Sequence, residues 1–166
     1  AVFKTVLENR QAAILAPTTI LAEQHYMNAV NRFGPFGVRV ACLTRFRTKE
    51  EVQSILAGVA SGSIGLVIGT HRILSKDVNF YDLGLLVLDE EQRFGVEQKE
   101  KLKLLRTNVN VLSMSATPIP RTLDMALSGI RDISVLDTPP KGRQAVKTLV
   151  AEYSDSLLKE AVGKEL

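Results

Sequence analysis

The sequence contains a single cysteine in 166 residues, Cys42, and this scarcity excludes an internal disulfide. One thiol within the apolar segment VRVACLT is typical of a buried, inert cysteine in a reducing compartment. Long apolar runs are lacking as well: no stretch approaches about 18 uncharged apolar residues, so no membrane span is predicted. The N-terminal segment AVFKTVLENRQ contains Lys4, Glu8 and Arg10, which interrupt the apolar core that a secretory signal peptide needs.

A strong excess of charge of one sign is also lacking. Lys and Arg number 21 and Asp and Glu number 18, which gives a formal net charge of +3. This excess is weak evidence for a nucleic-acid partner, because the placement of basic residues matters more than their total. Apolar residues make up 45% and charged residues 23%, as in ordinary globular proteins, and the length suffices for one domain with a sizeable core.

Strand-like and helix-like segments alternate at least five times along the chain. The clearest helix begins at Thr48, a predicted N-cap that forms a capping box with Glu51. The strand-like segments are apolar on both faces, which is typical of parallel strands covered by helices. The sequence therefore predicts an α/β fold with an open, mostly parallel sheet. The predicted strands include 38–43, 64–69, 83–90, 109–116 and 132–136, and the predicted helices include 18–33, 48–62, 96–106, 120–129 and 154–166.

One apolar strand, residues 85–88, runs directly into the carboxylates of Asp89 and Glu90. In open α/β sheets, ligands bind outside the carboxyl ends of the strands. A carboxylate at that position can hold Mg²⁺ through water, and its neighbour can activate a water molecule for phosphoryl transfer. A solvated acidic turn has the same composition, so this segment alone leaves both interpretations open.

A second apolar strand ends on small hydroxyl residues, Ser115 and Thr117, in the segment VLSMSATPIPRT. Their hydroxyl groups could reach a neighbouring strand end and sense what is bound there. A simple capped turn is the competing interpretation.

Three further strand ends carry groups that suit phosphate. Two are hydroxyl-containing turns that open a helix, where backbone N–H groups point outward. The third is a phenylalanine flanked by two arginines, which suits a nucleic-acid backbone. The competing interpretations are a plain helix N-cap, a structural histidine and a solvated basic loop. The residues concerned are Thr18, Thr19, Arg45, Arg47, Thr70 and His71.

Four segments, APTTILAEQH, GTHRIL, VLDEEQRFG and SMSATPIPRT, occur in the order and at the spacing of a superfamily 2 helicase motor. The chain resembles this superfamily over essentially its whole length. Two branches share the last two segments: the RecG-type branch-migration helicases and the transcription-repair coupling factors. The segments LTRFRTKEE, DEEQRFGV and SGIRDISVLDTPPKGRQAVKT resemble the coupling factors rather than the RecG type.

The resemblance implies a RecA-like motor domain of a bacterial, cytoplasmic translocase on double-stranded DNA. Such an enzyme uses ATP and Mg²⁺ to push a stalled RNA polymerase off a lesion, and it recruits the damage-recognition protein of excision repair. By the matching motifs, Asp89 would serve Mg²⁺ and Glu90 would activate water. The implied coupling residues are Gln92, Ser115, Ala116 and Thr117, and the implied DNA-side residues are Thr18, Thr19, Arg45, Arg47, Thr70, His71 and Arg121.

The chain departs from the family pattern in two places. The acidic box of the family usually ends in His, whereas position 92 is Gln, which donates and accepts hydrogen bonds but does not titrate. We expect Gln92 to reach the turn at Ser115 to Thr117. The phosphate-loop pattern G-x-x-x-x-G-K-[ST] occurs nowhere in the chain. In the family this loop precedes the helix that residues 1–9 are predicted to finish, so the chain is expected to begin just after it.

The resemblance divides the chain into a first motor domain without its phosphate loop (1–138), a linker (139–145) and the start of a second motor domain or a linking helix (146–166). Two other functions stay open at this point. One is a RecG-like helicase that acts on branched DNA without a polymerase partner. The other is a binding module without catalytic activity, which the missing phosphate loop favours for this chain.

Overall fold

The computed structural model describes residues 1–105, 109–116, 132–136, 138 and 148–165. The chain divides into two compact units, Ala1–Pro120 and Arg121–Leu166. Several predicted features lie outside the described residues: the helix at 120–129, the linker at 139–145, Thr117 and Arg121. The predicted domain boundary after residue 138 stays a prediction.

The described residues of the first unit form five strands and four α-helices. The strands are β1 (Gln11–Leu15), β2 (Val40–Leu43), β3 (Leu66–Gly69), β4 (Leu83–Asp89) and β5 (Asn110–Met114). The α-helices are α1 (Val2–Leu7), α2 (Thr19–Phe33), α3 (Lys49–Ala60) and α4 (Val96–Leu105), and short 3₁₀ helices occur at Gly34–Phe36, His71–Leu74 and Glu91–Arg93. The strands form one sheet in the order β2-β3-β1-β4-β5, and every neighbouring pair is parallel. The predicted α/β fold with a parallel sheet is thus confirmed.

Both faces of the sheet are covered by apolar layers, and β4 shows this most clearly. Leu86 and Leu88 belong to one buried cluster, whereas Leu85 and Val87 belong to the other. Successive side chains of a strand point to opposite faces, so a strand that is covered on both sides must be apolar throughout. This requirement explains the uninterrupted apolar runs in the sequence.

Because the sheet is parallel, all five strands end at the same edge. Leu15 of β1 is level with Gly69 of β3 and with Leu88 of β4, and Asp89 is level with Met114 of β5. A Cβ atom at Gly69 would lie 2.3 Å from the carbonyl oxygen of Leu43 on β2, so only glycine permits this approach of the two strand ends. The loops that follow the strands therefore lie side by side along one edge.

Local helix signals agree well with the structure. Thr48 and Glu51 form the predicted capping box, with Thr48 Oγ1 accepting from the Glu51 N–H at 3.2 Å and Glu51 Oε2 accepting from the Thr48 N–H at 2.7 Å. None of the helices in the described ranges is long and apolar enough to cross a membrane.

The second unit contains helix α5 (Asp155–Glu165), close to the predicted helix at 154–166. The predicted strand at 132–136 is wrong, because these residues have no strand pairing in the described part of the chain. Val135 and Leu136 are 71% and 95% exposed. An apolar composition shows only that a segment suits a sheet, and a strand also needs a partner edge and a covered face.

Candidate functional site

Glu90, the residue after β4, adopts a left-handed backbone conformation with φ +50° and ψ +52°. This conformation costs a non-glycine residue on the order of 1–3 kcal/mol and is often found at functional sites. Neighbouring contacts hold it in place: the Glu90 N–H donates to the carbonyl of Met114 at 2.9 Å, and the Glu90 carbonyl accepts from the Arg93 N–H at 2.8 Å. The first bond continues the pairing of β4 with β5, so the turn that carries Glu90 is fastened to the neighbouring strand end.

The carboxylate of Glu90 is held at both oxygens. The backbone N–H of Ala116 donates to Oε1 at 3.0 Å, and the side-chain amide of Gln92 donates to Oε2. The same amide nitrogen lies 3.3 Å from Oγ of Ser115. The predicted contact between Gln92 and the Ser115 turn is therefore present. Gln92 sits between the acidic pair and that turn, because the 3₁₀ helix Glu91–Arg93 brings the chain back toward Glu90.

His25 and Ser113 form hydrogen bonds to the acidic segment. The sequence patterns assigned a role to neither of them. Nε2 of His25, on α2, lies 2.8 Å from Oδ2 of Asp89. On β5, the hydroxyl group of Ser113 donates to Oε2 of Glu91 at 2.7 Å. His25 precedes Asp89 by 64 residues, so no local pattern could connect them. The only signal available was the position of His25 inside the segment APTTILAEQH.

The environment of Asp89 fits Mg²⁺ that is held partly by water. Among the described residues, no group of three or more His, Cys, Asp or Glu side chains gathers as a metal cage. Mg²⁺ seldom needs one, since it commonly uses one or two carboxylates, keeps several waters and is completed by substrate phosphates. Oδ2 of Asp89 accepts from His25, whereas Oδ1 accepts no hydrogen bond from the described residues, which leaves one oxygen for such a role.

A cleft of about 450 Å³ opens at the carboxyl ends of β1, β2 and β3. It brings together residues from the segments that follow these three strands and from helix α3, which are far apart in sequence. Six of the predicted DNA-side residues line it: Thr18, Thr19, Arg45, Arg47, Thr70 and His71. The sequence patterns missed the other lining residues, which are Pro17, Thr44, Val52 and Arg72. A cleft lined with hydroxyl groups, guanidinium groups and a helix start suits a phosphate-bearing ligand.

Arg47 is the most constrained arginine of the cleft. Its Nη2 donates to both carboxylate oxygens of Glu23, at 3.2 and 3.1 Å, and its Nε donates to the carbonyl of Cys42 at 3.2 Å. The guanidinium also lies over the ring of Tyr26, 5.6 Å from its centre. The hydroxyl group of Thr44 donates to the same carboxylate at 3.2 Å. Arg47 therefore ties the β2 loop to α2 and leaves little of its charge for a ligand.

The other two arginines of the cleft differ from each other. Arg72 donates to both oxygens of Asp77, at 2.7 and 2.5 Å, and this hydrogen bonding lowers the pKa of the Asp77 carboxyl group. Arg45 is exposed, lies over the ring of Phe46 at 5.4 Å and forms no ion pair with the described residues. Of the three arginines, Arg45 thus has the guanidinium best placed to meet an incoming phosphate.

Two other residues, Thr18 and Cys42, occupy structural positions that the sequence indicated. Oγ1 of Thr18 accepts from the backbone N–H of Leu21 at 3.3 Å, so Thr18 is the N-cap of α2 as well as part of the cleft lining. Cys42 is buried, as predicted, and burial raises the pKa of its thiol to about 11, with the nearby charge of Glu23 adding to the effect.

Comparison with known proteins identifies the relatives of this chain. It is 51% identical over all 166 residues to the transcription-repair-coupling factors of Bacillus subtilis (strain 168) and Staphylococcus aureus (strain USA300), and it spans 14% of the length of each. Among solved structures, RecG bound to a three-way DNA junction matches at 38% identity with a TM-score of 0.68, over 93% of this chain and 20% of that one. The DUF1998 helicase MrfA matches at 17% identity with a TM-score of 0.54, over 77% of this chain and 23% of that one, which shows a shared fold.

These matches confirm the resemblance to the coupling factors and the RecA-like fold inferred from the motifs. The model of the DEAD/DEAH box helicase family matches residues 1–126. This range contains the acidic segment after β4, the Ser115 turn and the whole cleft. The chain therefore belongs to the DEAD/DEAH box helicase family.

Proposed function

We propose that this chain carries the hydrolytic edge and the DNA cleft of an ATP-dependent translocase on double-stranded DNA. The observation that carries the proposal is the arrangement of two groups of polar residues along one sheet edge. Asp89 and Glu90 follow β4, and the cleft opens beside them at the ends of β1, β2 and β3. Identity of 51% to transcription-repair-coupling factors over the full chain supports the same function.

In this proposal Glu90 is the general base. Its carboxylate accepts a proton from the water that attacks the terminal phosphate of ATP. Each carboxylate oxygen can accept two hydrogen bonds, so Oε1 can take that proton without losing the Ala116 N–H. The fixed turn and the two bonds to the carboxylate keep the base oriented before the substrate arrives, which avoids reorganisation during the reaction.

Asp89 would hold Mg²⁺, which when bound offsets the negative charge that accumulates on the phosphates. The 166 residues do not contain the usual phosphate-loop pattern, so the proposal requires other groups to cradle the phosphates. Gln92 would then report the state of Glu90 to the Ser115 turn through its two contacts. This is the coupling role that the family pattern gives to the last residue of the acidic box.

The cleft would hold the DNA backbone. Contacts to phosphates are independent of sequence, as a translocase requires, because they use charge and backbone N–H groups rather than base edges. Arg45 supplies the charge, while Thr19, Thr70 and His71 supply polar groups around it. RecG, a structural relative with 38% identity, has been solved on a DNA junction, which supports a DNA-binding edge here.

The finer proposal is that the enzyme displaces a stalled RNA polymerase and recruits excision repair in the bacterial cytoplasm. It rests on the coupling-factor resemblance, and the chain spans only 14% of those relatives. The partner contacts would thus involve parts of the protein other than these 166 residues.

A polymerase-release assay tests the proposal. The full-length gene product is mixed with RNA polymerase stalled on linear duplex DNA, with and without ATP, and Glu90→Gln serves as the inactive control. We expect ATP-dependent release that the control lacks. Activity that requires a three-way junction and leaves the polymerase in place would instead support a RecG-like helicase. Binding to DNA without ATP hydrolysis would reduce the role to a binding module.

A further inference from the structure

His25 joins helix α2 to the end of strand β4. Its Nε2 lies 2.8 Å from Oδ2 of Asp89, and the two side chains are 30% and 17% exposed. An ionised carboxylate can only accept hydrogen bonds, so His25 is the donor. The contact lies beside the base Glu90, yet the mechanism described above does not use it.

We propose that His25 is a positioning residue that orients the carboxylate of Asp89 for Mg²⁺. This inference rests on the proposed function. A hydrogen bond to Oδ2 restricts rotation of the carboxylate and so aims Oδ1, which accepts no hydrogen bond from the described residues. Side chains that orient a metal ligand in this way typically change metal affinity or activity by about 10- to 100-fold when they are removed.

Contacts other than that of His25 hold α2 against the sheet and the β2 loop. Ala22 and Ala29 are buried in the apolar layer between α2 and the sheet, and Glu23 is bound by Arg47 and Thr44 from the β2 loop. Loss of the imidazole should therefore leave the helix in place. What the imidazole controls is the direction of one carboxylate.

The same helix begins in the cleft. Thr18, its N-cap, lines the cleft, and His25 follows seven residues later, about 10 Å along the helix axis. A helix is stiff over such a distance, so a ligand that shifts the start of α2 also shifts His25. His25 would then connect the cleft to Asp89 by a route separate from the contact between Gln92 and Ser115.

The test is a Mg²⁺ titration of the full-length gene product with two readouts, binding of a fluorescent ATP analogue and ATP hydrolysis. His25→Ala removes the donor, and His25→Gln keeps a side-chain N–H. Met27→Ala is the matched control, since Met27 is an exposed residue of the same helix. We expect His25→Ala to raise the Mg²⁺ midpoint of both readouts about tenfold, to keep the wild-type melting temperature and to leave metal-free analogue binding unchanged. His25→Gln should recover most of the loss, and Met27→Ala should match the wild type.

Three results would overturn the inference. A wild-type Mg²⁺ midpoint in His25→Ala, in an enzyme that otherwise hydrolyses ATP, would leave His25 without a positioning role and the proposed function intact. A lowered melting temperature in both His25 variants, with the Mg²⁺ midpoint unchanged, would make the contact purely structural. Absence of Mg²⁺-dependent hydrolysis in the wild type would instead overturn the proposed function and this inference with it.

Discussion

Two stretches of one sheet edge are built in opposite ways. After β4 and β5, hydrogen bonds hold the side chains of three consecutive carboxylates. Asp89 is bonded to His25, Glu90 to Ala116 and Gln92, and Glu91 to Ser113. After β1, β2 and β3 the loops instead surround an open cleft of about 450 Å³. A chemical reaction needs groups that are held in one geometry, whereas the binding of a polymer that moves needs charge and space.

The arginines of the cleft sharpen this contrast. Arg47 and Arg72 are bound by Glu23 and Asp77 within the protein, and Arg45 has no such carboxylate among the described residues. Two of the three arginines therefore build the walls of the cleft, and one is left to meet a ligand. Counting basic residues in a motif would overestimate the charge that the cleft offers.

The largest expected effect is at the carboxylates that follow β4. Glu90→Gln in the full-length gene product should reduce ATP hydrolysis about 10²-fold or more, because an amide cannot take the proton from water. Nucleotide and DNA affinities should stay at their wild-type values, since Gln has the same shape and its carbonyl oxygen can still accept from Ala116. Single-turnover hydrolysis with parallel binding titrations checks this. Near-normal turnover would remove Glu90 from the role of base.

Arg47→Ala should act mainly on stability. The change leaves the carboxylate of Glu23 without its main partner, and hydrogen bonds to charged groups contribute about 1.5–3 kcal/mol each, a value that partial exposure will reduce here. We expect a loss of about 1–2 kcal/mol in the free energy of unfolding by urea denaturation. Arg32→Ala, at the far end of α2, is the charge-matched control. Unchanged stability combined with weaker DNA binding would make Arg47 a DNA contact instead.

Gln92→Ala should weaken the link between the two regions. One hydrogen bond is worth about 0.5–1.5 kcal/mol, which corresponds to a loss of up to about tenfold in DNA-stimulated hydrolysis and translocation. ATP binding and basal hydrolysis should change less. Gln92→His should restore coupling, because an imidazole can donate a similar bond. Full coupling in the alanine variant would reduce Gln92 to a surface residue.

The smallest effect is expected in the cleft that follows β1, β2 and β3. Arg45→Ala should weaken DNA binding equally for all sequences and reduce the slope of log affinity against log salt by about one unit, as expected for one lost phosphate contact. The slope for Arg32→Ala should equal that of the wild type. An unchanged slope for Arg45→Ala would show that Arg45 belongs to a solvated loop.

Much of this arrangement is predictable, because a parallel sheet brings every strand end to one edge. The acidic pair, the contact of Gln92 with Ser115 and the convergence of six cleft residues all follow from that rule. The bonds of His25 to Asp89 and of Glu23 to Arg47 do not, since they depend on the side on which α2 packs and on its rotation. The strand predicted at 132–136 failed for a related reason: strand pairing is a property of the neighbours, not of the segment.

The central claim is that the carboxylates after β4 serve ATP hydrolysis, whereas the cleft after β1, β2 and β3 serves DNA binding. It is tested most directly by ATP hydrolysis measured against DNA concentration for the wild-type, Arg45→Ala and Gln92→Ala forms of the full-length gene product. Arg45→Ala should raise the DNA concentration needed for half-maximal stimulation and reach the wild-type plateau. Gln92→Ala should lower the plateau at an unchanged half-maximal concentration. If both variants change the same parameter, the claim that the two regions have separate roles is contradicted.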